Sequence, residues 1–301
     1  MTFPFLNGYE KITLFIIGNG FDLYHGILSK YKHLCCWLNL NGHESFVDEM
    51  QHVFQQLDGK IDTLWCNFEV ALGDYNLDQV YLRYYEEPMY LSNYNIWDKA
   101  ANDVVDKVHD LCVQIRPLMK EWVQAIKINH VVPQFVLPMD SNYLTFNYTK
   151  VLEEIYGIPS VNICHIHGCV DDGEELITGH DSIKGDTVFG AQSNEEERAK
   201  QKIVRQINGL AKDKTGQYEK NKAFFEKLSN VKHVVVLGHS LSEIDSHYFG
   251  KVLKSIRKDA IWHFSIYSGD QNNRKRVDSF KRNCEKSSIR LSIEEGESVL
   301  L

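Results

Sequence analysis

The chain has 301 residues, of which 43% are hydrophobic and 25% are charged, and its net charge is −8. This composition is typical of a globular protein with one large domain, or a domain with a big insertion, that needs no disulfide or metal to fold. The negative charge disfavours a protein whose main task is to grip nucleic acid through its phosphates, so we do not expect direct nucleic-acid binding as its main task, although a local basic patch is compatible with this composition.

The cysteines and the N-terminal segment predict a cytoplasmic protein. The 7 cysteines are scattered, and Cys35 and Cys36 are adjacent, which is typical of reduced thiols. The first ten residues lack the basic segment and apolar core of a secretory signal, and no stretch approaches the ~18 uninterrupted apolar residues of a membrane span. We therefore expect no membrane partner.

The first strong pattern is a strand followed by a glycine turn. Ile12–Ile17 is an apolar run typical of a buried central strand, and it ends at a Gly-Asn-Gly turn after which Asp22 is placed to cap a helix. Glycines let a backbone approach a ligand closely, and a helix N-terminus attracts anions, so the pattern favours a nucleotide. Leu23 replaces the third glycine of the dinucleotide motif, and no acidic-ended strand follows, which excludes the hydride-transfer module.

Helical spacing then dominates the segment 23–139. Apolar residues recur every three to four positions over Leu23–Leu40, Glu44–Leu72 and Trp97–Ile126, and Pro117 is expected to kink the last helix. We therefore predict that 23–139 is a large α-helical insertion after the first strand.

The second half alternates strand and helix patterns. Strands are predicted at Asn142–Phe146, Val161–Gly168, Glu175–Thr178, Lys232–Gly238, Ala260–Tyr267 and Ile289–Ile293. Helices are predicted at Lys150–Tyr156, Asn194–Asn230, Glu243–Ile256 and Asn272–Glu285. This order predicts an α/β fold in which 1–22 and 140–301 form a Rossmann-like, doubly wound, mainly parallel sheet.

Four predicted strands end in polar or glycine residues, and in a parallel sheet such ends line the ligand crevice. They are the Gly-Asn-Gly turn with Asp22, Asn147-Tyr148, His165 to Gly168, and Gly238-His239-Ser240 with Glu243 and Asp245 behind it. We expect His165 and His167 to share one side of their strand, one as a site residue and the other as a packed core histidine.

A zinc site and a serine hydrolase site are not predicted at these strand ends. Cys164 is expected to face away from His165 and His167, which spoils a four-ligand zinc site, and we expect no metal. Ser240 lacks the second glycine of a G-x-S-x-G elbow, so a serine hydrolase is not predicted.

Several motifs carry a resemblance to known families. Leu14 to Leu23 with His25-Gly26, Tyr31, and Trp65 to Glu69 resemble the bacteriophage abortive-infection AbiH family. Leu144 to Tyr148, Cys164 to Gly168, and Leu237 to Asp245 are similar to successive motifs of the sirtuin-like domains of bacterial phage-defence proteins. Together the motifs span about residues 11 to 268 in the right order.

The resemblance implies an anti-phage effector that hydrolyses NAD, or a related nucleotide, at the N-glycosidic bond to nicotinamide and ADP-ribose. By position it implies that Asn147 and His167 are catalytic. The residues that it implies for nucleotide binding are Gly18, Asn19, Gly20, Phe21, Asp22, Gly238, His239, Ser240 and Asp245. Asp22 departs from the small hydroxyl residue of such loops, and a carboxylate there repels a pyrophosphate unless it caps the helix or bonds a sugar.

Two alternatives stay open. The first is a non-catalytic nucleotide-sensing module that recruits a partner through the long helix at Asn93–Ile128. The second is a metal-dependent nuclease, for which the dispersed acids are Asp22, Glu69, Asp181 and Asp245. The sequence also leaves room for a homo-oligomer and for a phage-derived trigger or partner protein.

Overall fold

A computed structural model describes residues 8–54, 63–86, 94–170, 173, 176–181, 183–185, 190–191, 193–265, 271–286 and 292–293. Its strands are β1 (Thr13–Ile17), β2 (Asn142–Thr145), β3 (Ile163–His165), β4 (His233–Leu237), β5 (Ile261–Phe264) and β6 (Ser292–Ile293). They form one sheet in the order β3-β2-β1-β4-β5-β6, and every neighbouring pair is parallel. This is the Rossmann strand order, so the predicted α/β fold class is confirmed.

The helices cover most of the remaining described residues. They are α1 (Asn19–Tyr24), α2 (Tyr31–Leu40), α3 (Glu44–Phe54), α4 (Thr63–Cys66), α5 (Phe68–Gly73), α6 (Leu77–Tyr84), α7 (Tyr94–Ala125), α8 (Asn194–Asn208), α9 (Lys214–Lys220), α10 (Lys222–Glu226), α11 (Ser246–Ser255) and α12 (Gln271–Lys286). The long helix α7 runs through Pro117. In these described parts of the chain, no helix combines the length and apolar character that a membrane crossing requires.

Some predicted elements differ from the structure. The predicted helix Leu23–Leu40 is divided into α1 and α2, and Gly26 between them has φ 74°, a left-handed conformation that a helix cannot continue through. The predicted helix Lys150–Tyr156 is a single π turn at Val151–Ile155.

The predicted strands also differ at two places. Val161–Gly168 is reduced to β3, because the chain enters a turn at 166–167. Residues 176–178 of the strand predicted at Glu175–Thr178 are irregular, while Glu175 lies outside the described residues. Only residues 292–293 of the predicted strand Ile289–Ile293 are described, as β6.

The sheet is buried on both faces, which explains the uninterrupted apolar runs of its central strands. In β1, Leu14 and Ile16 join a cluster that includes α11 residues and Trp262. Phe15 and Ile17 point to the opposite face, where they join a second cluster that includes residues from 131–137 and 143–158. Both faces of the carboxyl edge are therefore held in place by a packed core.

The chain divides into two compact units. Unit 1 contains 1–29, 123–177 and 213–301 and holds the whole sheet; unit 2 contains 30–122 and 178–212 and is helical. The division predicted at 22/23 and 139/140 assigns 178–212 to the sheet domain, whereas the compact units place this segment in unit 2. Ile27, Val131 and Phe135, which fall in the predicted helical insertion, belong to a core cluster of the sheet.

Candidate functional site at the carboxyl edge of the sheet

The two glycine turns that follow β1 and β4 are closed against each other. Gly18 donates its amide to Leu237 O at 2.9 Å, and Gly20 donates to Gly238 O at 2.8 Å. Phe21 N donates to Gly18 O at 2.9 Å. A Cβ on Gly238 would lie 2.1 Å from Phe21 N, so these glycines are required by the close approach of two backbones. The amides of Gly18, Gly20 and Phe21, residues that the resemblance implies for nucleotide binding, are hydrogen bonded within the turns.

Asp22 is a buried carboxylate inside α1, with 1% of its surface exposed. Its Oδ1 accepts from Asn147 Nδ2 at 2.8 Å, and its Oδ2 accepts from Thr149 Oγ1 at 2.7 Å. Burial raises the pKa of Asp22 to about 6, against the opposing hydrogen bonds of Thr149 and Asn147 and the charge of His165. The expected capping role of Asp22 is wrong, because the N-cap of α1 is Gly18 and has no side-chain cap.

Asn147 follows β2 and connects Asp22 to the first glycine turn. Besides Asp22, its Nδ2 reaches Gly18 O at 3.2 Å. Its Oδ1 is buried, and within the described residues it has no hydrogen-bond partner. A buried amide oxygen that receives no hydrogen bond has an uncompensated desolvation cost. This atom is therefore suited to accept a hydrogen bond from a ligand or an ordered water.

His165 is the packed histidine of the pair. Its Nδ1 contacts Asn147 O at 3.1 Å, and its Nε2 contacts Glu153 Oε1 at 2.8 Å. Both ring nitrogens face acceptor oxygens, so His165 is tied on both sides and holds the backbone of Asn147. His167 faces other partners, so the expected shared side does not hold; β3 ends at His165 and the chain turns before His167.

His167 and His239 lie on either side of Asp245. His167 Nε2 is 3.4 Å from Asp245 Oδ1, and His239 Nε2 is 3.6 Å from Asp245 Oδ2. The side chains of His167, Asp245 and His239 are only 5%, 10% and 3% exposed. Both separations exceed the ~2.7–2.9 Å of a charge-assisted hydrogen bond, so the carboxylate lies between the rings without closing on either.

The backbone after Gly238 fixes the tautomer of His239. Leu241 N donates to His239 Nδ1 at 2.9 Å, so the neutral ring carries its proton on Nε2, which faces Asp245. Leu241 has φ 54°, a strained conformation for a leucine. His239 therefore presents its Nε2 proton toward Asp245.

The ring of His167 packs against the sequence neighbours of Asn147, and the two side chains belong to different hydrogen-bonded groups. The His167 ring centroid is 5.2 Å from that of Phe146 and 6.2 Å from that of Tyr148, the residues on either side of Asn147. Phe146 also contacts His239, at 4.3 Å. The strand ends thus bring Asp22, Asn147, His167, His239 and Asp245 to one edge of the sheet.

The comparison with known families identifies one family for this chain. The profile of the family described as bacteriophage abortive infection AbiH matches residues 14–266, most of the chain. The chain belongs to the AbiH family. No curated protein and no solved structure matches it significantly. AbiH membership assigns the protein an anti-phage abortive-infection role, and the match covers every residue of the edge described above.

Not every predicted site residue of this AbiH protein joins the edge. Asn19 is exposed and bonds Ser29, from whose hydroxyl it accepts at 2.6 Å. Ser240 is exposed as well. Sequence reasoning missed Thr149 and Glu153; Thr149 lies two residues after Asn147, a signal that a search limited to the strand end does not reach.

The acids proposed for a nuclease site are divided between the two units. Glu69 of unit 2 pairs with Lys212 Nζ at 2.8 Å and accepts from Tyr31 OH at 3.1 Å. Asp181 also belongs to unit 2, whereas Asp22 and Asp245 belong to unit 1. Among the residues that the structure describes, no group of three or more His, Cys, Asp or Glu side chains is arranged to hold a metal ion.

Proposed function

We propose that this AbiH protein is a cytoplasmic effector that hydrolyses NAD, or a related nucleotide, at the N-glycosidic bond, as sirtuin-like defence domains do. The observation that carries the proposal is the buried Asp245 carboxylate 3.4 Å from His167 Nε2, beside Asn147 at the ends of adjacent parallel strands. A histidine oriented by a carboxylate is a common proton acceptor in enzymes. The carboxyl edge of a sheet with this strand order is also where nucleotides bind.

The reaction needs little more than these groups. The bond between ribose C1′ and the pyridinium nitrogen breaks, nicotinamide leaves as a neutral molecule, and positive charge develops on the sugar. A water molecule, oriented by the unpaired Oδ1 of Asn147, adds its oxygen to C1′ and loses a proton to His167. Asp245 stabilises the imidazolium that forms, and His239 keeps Asp245 in place.

Asp22 does not cap α1, so a pyrophosphate at this edge would have to bind away from its carboxylate. Its two carboxylate oxygens accept hydrogen bonds from Asn147 and Thr149, so they face protein donors. A pyrophosphate at this edge would need donors other than the amides of Gly18, Gly20 and Phe21, which are already hydrogen bonded. The proposal is therefore best supported for the nicotinamide ribose, which we place near Asn147 and His167.

We expect His167→Ala to lower the rate of nicotinamide release by about 10²-fold or more, because the proton acceptor is lost. Asp245→Asn keeps the shape but loses the charge, and should lower kcat with little change in KM. The measurement is nicotinamide release by purified protein, with and without lysate of phage-infected cells as activator. His109→Ala, which removes an exposed histidine from α7, is the matched control and should match wild type.

Nucleotide mass spectrometry in phage-challenged cells gives a readout that does not presuppose NAD. We expect the substrate pool to fall with wild type and to persist with Asn147→Ala and His167→Ala. Protection by His167→Ala without any nucleotide loss would contradict the proposal. Nucleotide binding in calorimetry with no turnover would instead support the sensing module, and chelator-sensitive degradation of plasmid DNA would support a nuclease.

A further inference from the structure

The helix α12 carries a concentration of positive charge that the glycohydrolase proposal does not use. Its sequence, Gln271–Lys286, contains six Lys or Arg and two acidic residues, a net charge of +4 in a chain whose total is −8. The rest of the protein is therefore more acidic than the total suggests. A charge segregated in this way onto one element marks an electrostatic footprint for an anionic partner.

Four of the six basic residues lie on one face of the helix. Arg274 and Lys281 are seven residues apart, as are Lys275 and Arg282, so each pair lies two turns, or about 10.5 Å, apart along the helix. All four side chains are exposed. The exposed Asp278 lies among them, and Glu285, four residues after Lys281, lies on the same face, so the four cations are accompanied by two acidic residues.

The opposite face anchors the helix to the sheet unit. The Phe280 ring lies 5.3 Å from the ring of Phe249, 5.5 Å from that of Trp262 and 5.9 Å from that of Phe264, and Cys284, one turn later, is 5% exposed. The basic face is thus presented by a packed element. This packing also decides between partners, because an amphipathic helix that binds a membrane needs a free apolar face to insert, and here that face is covered.

We propose that the basic face of α12, formed by Arg274, Lys275, Lys281 and Arg282, binds the phosphate backbone of nucleic acid without reading its sequence. The two pairs are spread over two turns of the helix, about 10.5 Å, so the four cations can contact several phosphates at once. Long flexible cations on a helix are typical phosphate contacts, while sequence readout needs base contacts. The acidic remainder of the surface limits binding to this one face.

Binding should show the salt dependence of a four-cation footprint. If each of the four neutralises one phosphate, log K falls against log salt with a slope of about −3.6 for duplex DNA and about −2.8 for a single strand. Lys275→Gln/Arg282→Gln should halve that slope, to about −1.8 and about −1.4. Lys99→Gln/Lys127→Gln, which removes two exposed cations elsewhere, is the matched control and should keep the wild-type slope.

The test is fluorescence anisotropy of the full chain with labelled duplex DNA, single-stranded DNA and single-stranded RNA of about 30 nucleotides, between about 50 and 200 mM salt. Circular dichroism checks that each variant is folded. His167→Ala should bind like wild type, so the outcome is independent of the glycohydrolase proposal. The inference is overturned by absent binding at low salt, by equal losses in the α12 and control variants, or by capture on anionic vesicles in place of nucleic acid.

Discussion

Gly238→Ala is expected to destabilise the protein by about 4 kcal/mol or more, enough to leave it largely unfolded. Gly238 has φ 66°, a conformation that alanine adopts only with strain. The new Cβ would lie 2.1 Å from Phe21 N and 2.5 Å from Gly20 C, and both are backbone atoms that cannot rotate away. The two turns would have to separate and break the bond from Gly20 N to Gly238 O.

Gly26→Ala separates the strain of the positive φ from the clash of the new Cβ. Gly26 has φ 74°, but a Cβ there would meet no heavy atom within 4 Å. This substitution should lower the free energy of unfolding by only about 1 kcal/mol, because only the left-handed conformation is strained. Urea denaturation followed by circular dichroism gives both values, and similar losses in the two variants would mean that the turns are not locked together.

These glycines also show what the sequence could and could not predict. The apolar runs of β1 and β4 identify central strands, because only strands covered on both faces lose polar alternation. The spacing of helices and strands then gives a Rossmann-like sheet. The closeness of Gly20 to Gly238 depends on which strands become neighbours, and no local pattern encodes a contact between positions so far apart.

The candidate site, like the fold, has features that the sequence predicts and features that it does not. That Asn147 and His167 follow strand ends, with Asp245 in the segment after β4, follows from local patterns. Their pairing does not: Asn147 is hydrogen bonded to Asp22, and His167 faces Asp245, because of where each chain segment turns after its strand. The period-two argument failed at His167 for this reason, since it applies only while the strand continues.

Asp22→Asn is expected to stabilise the protein above about pH 6. The pKa of Asp22 is raised to about 6 from 3.8, chiefly by burial, so the folded state keeps a proton that the unfolded state releases. The contribution of Asp22 to the free energy of unfolding is therefore greatest below about pH 4. It falls as the pH rises to about 6 and stays low above that pH. Two pKa units correspond to at most about 3 kcal/mol.

The asparagine avoids that loss and can keep both hydrogen bonds. Its carbonyl oxygen accepts from Asn147, and its amide donates to the hydroxyl of Thr149, which can reverse its role. We expect variant and wild type to have similar free energies of unfolding near pH 4 and to diverge, in favour of the variant, up to about pH 6. Urea titrations across this range measure the difference.

Asp259→Asn is the control with the opposite sign. Hydrogen bonds from Arg257 lower the pKa of Asp259, so its contribution is present at neutral pH and is lost as the pH falls. Because the pKa of Asp259 is lowered from 3.8, its contribution changes only below about pH 4, so the stability difference between Asp259→Asn and wild type should stay constant from about pH 4 to about pH 6, whereas Asp22→Asn should move ahead of wild type over that range. A less stable Asp22→Asn protein at pH 7 would show that the ionised carboxylate stabilises the fold. If it is more stable but no longer protects cells from phage, the buried charge at Asp22 is retained for function at the expense of stability.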